Sequence, residues 1–175
     1  MQKLSSEFIG LPVVSVQSSD ELGRVTGLII KSEDLKIVLC EVLIPTTRTQ
    51  HFLLPRDIRF FNEEKVLVDS IQNITEFDDL VRYQHTITDN YELLGKRVET
   101  TTGKKLGRVR NFTFDPTHFM VNKLHVKPNI FKSLMVTSLL IDRSSIIETK
   151  KDVIVVKENY AKVKKTAPVA LPLQG

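Results

Sequence analysis

The sequence predicts an all-β protein: two small β-barrels in tandem, a short helical or turn linker, and a flexible C-terminal tail. Three observations lead there. The word Leu22-Gly23-Arg24-Val25 recurs as Leu106-Gly107-Arg108-Val109. The pairs Ile9-Gly10 and Leu94-Gly95 precede the two copies at nearly equal distance, and the apolar runs Val66-Leu67-Val68 and Ile154-Val155-Val156 close them. Between these marks lie short strand signals separated by turns. They are too few for a broad open sheet, so closure into a small barrel removes the exposed edges. The chain has 175 residues, 41% of them hydrophobic, enough to give two such modules packed cores.

The expected order is a first barrel over 1–77, a linker over 78–91, a second barrel over 92–157 and a basic, Pro/Ala-containing tail over 158–175. The first copy opens with a strand at Val13–Val16. It continues through the β-branched run Arg24–Ile30, turns at Ser32-Glu33-Asp34 and returns along Lys36–Ile44. Phe52-Leu53-Leu54, the break Pro55-Arg56-Asp57-Ile58 and Val66–Val68 complete it. The second copy runs in the same order. Arg97–Thr100 and the hairpin turn Thr101-Thr102-Gly103-Lys104 lead into Leu106–Phe114. Asp115-Pro116-Thr117-His118 turns the chain into Phe119–Val126. Leu139–Ile141, the break Asp142–Ile146 and Val153–Val156 follow. Gly23 and Gly107 open the longest strands, where a positive φ or a bulge lets a strand coil sharply. Between the copies, Thr75–Arg82 reads as a short capped helix.

Charge is uneven. Residues 1–88 hold 9 Lys/Arg and 13 Asp/Glu, whereas 89–175 hold 16 and 8. A solvated surface and an anion-facing surface are both open readings of the basic half. The single cysteine, Cys40, lies in an apolar run and has no partner for an internal disulfide, which fits a reducing compartment. The N-terminal residues lack the apolar stretch of a signal peptide, and Leu134–Ile141 is too short to span a bilayer. The expected location is therefore the cytoplasm, with no transmembrane segment.

The spaced words "Leu/Ile-Gly-x-x-Val", "Leu-Gly-x-Val", a hairpin, a late turn and a terminal "Val-x-Val" resemble the PRC-barrel domain. That domain occurs in the photosynthetic reaction-centre H subunit, at the C-terminus of the ribosome maturation factor RimM, and in small stand-alone prokaryotic proteins. The resemblance covers residues 8–70 and 93–157. The second copy fits better, through Leu94-Gly95-Lys96-Arg97-Val98, Leu106-Gly107-Arg108-Val109, Leu140-Ile141-Asp142 and Val153–Val156. The first departs at Pro12 and at Leu54-Pro55-Arg56-Asp57. The resemblance implies a non-catalytic binding or adaptor role and does not identify the partner.

Catalytic patterns are not evident. His51, His85, His118 and His125 are dispersed without metal-ligand spacing. Ser144-Ser145 has no histidine beside it, and Asp57 and Asp142 read as turn caps. No enzyme, cofactor or metal site is expected. Two contact regions are expected instead. Ile130, Phe131, Leu134 and Met135 form an apolar run in a longer connection, suited to an unknown protein partner or, with Lys127 and Lys132, to peripheral membrane contact. Lys96, Arg97, Lys104, Lys105, Arg108 and Arg110 cluster in the first hairpin of the second copy and could track the phosphates of RNA or the ribosome.

Overall fold

The computed structural model describes residues 2–47, 49–128 and 138–163. The described residues are all-β with two short α-helices. Their elements are β1 (Lys3–Leu4), α1 (Ser5–Phe8), β2 (Pro12–Ser15), β3 (Glu21–Lys31), β4 (Lys36–Leu43), β5 (His51–Leu53), β6 (Ile58–Phe61), β7 (Val66–Val68) and β8 (Ile74–Glu76). After α2 (Gln84–Asp89) come β9 (Arg97–Thr100), β10 (Lys105–Asp115), β11 (Met120–Lys127), β12 (Leu139–Asp142), β13 (Ile146–Thr149), β14 (Val153–Val156) and β15 (Ala161–Val163).

The strand pairings fall into two paths of matching order. One strand path runs β6-β7-β2-β3-β4-β5-β8, and the other β13-β14-β9-β10-β11-β12-β15. Each has one parallel contact at the same place. Val13 lies opposite Val66 between β2 and β7, and Ile154 opposite Val98 between β14 and β9. Each path carries a register shift at its first hairpin, between Val13 and Val14 in one and Lys105 and Gly107 in the other. Among the described residues no pairing joins the two ends of either path.

The chain divides into two compact units. One consists of Met1–Leu93 with Asn111–Asn122, the other of Leu94–Arg110 with the residues from Lys123 onward. This differs from the expected linear boundaries, because the tip of the β10–β11 hairpin belongs to the first unit. There, Ile37 N–H donates to the Phe119 carbonyl at 2.7 Å, and Val121 N–H donates to the Leu35 carbonyl at 3.1 Å. Leu35 and Phe119 end matching turns, with φ of 55° and 51°, and both are buried. β1 pairs with the same hairpin, Lys3 opposite Phe114.

The consequence is an aromatic core assembled from distant parts of the sequence. Phe8 meets Phe61 edge-on with ring centroids 4.9 Å apart, Phe114 at 5.7 Å and Phe119 at 6.1 Å. Edge-to-face contacts of this kind exceed plain area burial by roughly 0.5–1.5 kcal/mol per pair. A second cluster of Ile29, Leu39, Phe52, Leu54 and Leu80 is covered by Val38, Phe77, Tyr83 and Ile87. The segment expected as one helix over Thr75–Arg82 is instead the end of β8 and a 3-10 turn at Phe77–Asp79, and the helix α2 begins only after it, at Gln84. Thr75 is taken by pairing opposite Phe52, which holds it extended. Val98, Val109, Leu124, Ile141 and Ile154 are fully or almost fully buried in the second unit.

Candidate functional site

The repeated words are scaffold. Gly10 and Gly95 stand at φ of 100° and 82°, where glycine is favoured. Gly10 N–H donates to the Val25 carbonyl at 2.8 Å, and Gly95 N–H to the Val109 carbonyl at 2.8 Å. The arginine of each word closes the arrangement. Arg24 Nη1 donates to the Gly10 carbonyl at 3.2 Å, and Arg108 Nη1 to the Gly95 carbonyl at 2.8 Å. Gly107 has φ of 149° and lies beneath the facing strand. A Cβ there would stand 2.0 Å from the Lys127 carbonyl oxygen. A Cβ on Gly23 would stand 2.5 Å from the Leu43 carbonyl oxygen.

The basic residues singled out in the second copy do gather. Arg97 lies opposite Arg108, and Lys105 opposite Glu99. Arg108 and Arg110 share a face by the two-residue period of the strand. Arg97, Lys104, Lys105, Arg108 and Arg110 are exposed and Lys96 is half-buried. Two of the six serve the fold: Arg108 through Gly95, and Lys96 through its Nζ bond to the Lys151 carbonyl. Ile130, Phe131, Leu134 and Met135 lie outside the described residues.

The first unit holds a feature that the sequence did not disclose, an open groove of about 990 Å³. One wall is the whole of β6, Ile58 to Phe61, with Pro55 and Arg56 of the turn before it. The other is the hairpin tip from Asp115 to Met120. The Lys36 end of β4 and Tyr83 complete the lining. Phe60 is 56% exposed, whereas its neighbour Phe61 stacks into the aromatic core. Basic groups occupy the rim. Arg56 and Lys36 are exposed, and Arg59 is clamped to Asp69 by two bonds of 2.7 and 2.6 Å. The Arg59 hydrogen bond holds the Asp69 carboxyl below its ordinary range. His118 Nδ1 sits 2.7 Å from Asp115 Oδ2, and that bond, with the Thr117 N–H, lowers the Asp115 pKa. The groove was hidden because its walls are more than fifty positions apart in sequence.

No group of His, Cys, Asp and Glu suited to a metal occurs among the described residues. His51 is buried between Thr47 and Thr49 and lies 3.6 Å from Glu76. Burial pushes the Cys40 thiol far up, which keeps it protonated and unreactive. Ser144 donates to Asp142 at 2.7 Å as part of a turn cap. No described helix is long and apolar enough to cross a membrane.

The PRC-barrel domain family model matches residues 88–164. No curated protein shows a significant match to the chain.

Proposed function

We propose that this chain, which carries a PRC-barrel domain across residues 88–164, is a non-catalytic binding module that engages a protein partner. The observation that carries the reading is the groove of the first unit, concave, partly aromatic and rimmed by basic side chains. Concavity with an apolar wall and a few placed polar groups is what recognition sites share. The PRC-barrel domain is in general a non-catalytic module. The matching strand order of the two halves supports reading the first as a second, diverged copy of the same barrel. A cytoplasmic location accords with a single, buried cysteine.

Recovery of the tagged chain from its native cell, with and without ribonuclease, tests the proposal. A protein partner retained in stoichiometric amount after ribonuclease is expected. Recovery of RNA alone, or of nothing, would overturn it. The apolar run holding Ile130, Phe131, Leu134 and Met135 is a second proposed contact, tested by Phe131→Asp in the same recovery.

The exposed row of Arg97, Lys105, Arg108 and Arg110 favours one other reading, association with RNA or the ribosome. It predicts binding that weakens steeply with salt and with Lys105→Glu/Arg110→Glu.

A further inference from the structure

We propose that the groove of the first unit takes an extended acidic peptide, laid along the open side of β6 as an added strand. The proposal rests on the protein-binding reading above and names the chemistry of the partner. β6 ends its strand path: β7 covers one side, and no described strand covers the other. An open strand edge is a template for pairing, and proteins that do not use it usually protect it. Here all four residues of β6 line the groove, and the Asp115–Met120 wall faces them. The space follows the strand for about 13 Å at roughly 3.3 Å per residue.

Phe60 is the second observation. It lies opposite Leu67 in β7, as Glu148 lies opposite Val155 in β14, each just past a register shift. The module therefore does not require an aromatic ring at that place. Phe60 is more than half exposed and takes no part in the Phe8–Phe61–Phe114–Phe119 core. A ring left out of the core on an open edge is an anchor for a partner side chain.

Charge selects the class. Arg59 is spent on Asp69, and Asp115, the one carboxylate of the lining, is held by His118. Lys36 has no carboxylate within ion-pair distance among the described residues, and Arg56 reaches only its neighbour Asp57 at 4.0 Å. The uncompensated charge in the groove is positive. Residues 1–88 as a whole carry 9 basic and 13 acidic groups, so the attraction is local to the groove and is not a property of the whole surface. An alternating peptide can set apolar residues on Phe60 and Tyr83 while the next ones reach Lys36 and Arg56.

Fluorescence anisotropy on the intact chain tests this with a labelled octapeptide of alternating Glu and Val, beside its counterpart with Lys for Glu. The acidic peptide should bind at least tenfold tighter. Phe60→Ala, and separately Lys36→Glu/Arg56→Glu, should each weaken it about tenfold or more, at unchanged melting temperature. Lys105→Glu/Arg110→Glu should leave it unchanged. Amide exchange at Arg59, Phe60 and Phe61 should slow on saturation. Equal affinity for the two peptides, absence of binding, wild-type affinity in the groove variants, or unprotected β6 amides would overturn the proposal. If the native protein partner is recovered undiminished by the groove variants, this inference fails and the binding-module reading stands.

Discussion

Arg24 and Arg108 look alike in the sequence to any solvated arginine on a strand. Their purpose is visible only in three dimensions, where each guanidinium reaches back more than ten positions to the carbonyl of a positive-φ glycine. The repeated glycines separate in the same way. Gly10→Ala meets open space and only the cost of φ of 100°, so a loss of about 1 kcal/mol is expected in urea denaturation. Gly107→Ala adds a backbone collision with the Lys127 carbonyl to a strained φ, and about 3 kcal/mol is expected in the same measurement. That these glycines bend strands was legible from their place after turns. Which strand presses on them was not, because the pressing carbonyl lies about twenty residues further on.

At the scale of elements, the two late turns reach one shape by different chemistry. In the first copy Pro55 opens the 3-10 turn, its fixed φ suited to that position, with no side-chain cap. In the second, Asp142 caps it by accepting from Ser144 N–H at 3.0 Å. Asp142→Ala should cost about 1 kcal/mol in thermal or urea unfolding. A second clasp follows β14. Glu158 Oε1 accepts from the Thr101 hydroxyl, the Thr102 N–H and the Thr102 hydroxyl at 3.1, 3.1 and 2.9 Å, fastening the hairpin turn between β9 and β10. The threonine hydroxyls, with the Thr102 N–H, lower the Glu158 carboxyl to a pKa of about 2. A lowered carboxyl pKa stabilises the fold above the ordinary glutamate range, and that stability is lost as pH falls through the folded value. Glu158→Gln should therefore flatten the loss of stability between about pH 5 and 2 in acid titrations, and NMR should find the Glu158 carboxyl titrating near 2. The hairpin turn itself was legible from Thr101-Thr102-Gly103-Lys104. Its fastening was not, since a lone glutamate more than fifty positions later carries no local signal.

At the scale of the molecule, the longer strands of both sets were legible because each leaves a local apolar pattern and each turn a local polar one, whereas β6 and β13 lie where only a polar break was expected. The partition into units was not legible. β11 exposes the reason: Val121, Leu124 and Val126 are buried, a sequence that breaks the two-residue alternation between 121 and 124. The strand passes from pairing opposite Lys36 at Met120 to pairing opposite Asp142 at Lys123, and its buried face changes with its partner. A fragment of residues 1–92 lacks Phe114 and Phe119 and leaves Phe8 and Phe61 without two of their ring contacts. It should bind a hydrophobic dye and unfold without a cooperative transition, whereas the whole chain melts sharply. The same arrangement has a consequence in time. A nascent chain emerges from its N-terminus at roughly 5–20 residues per second. Phe8 is therefore made on the order of ten seconds before Phe119, and for that interval the half-finished aromatic core is open to chaperones and to neighbouring chains.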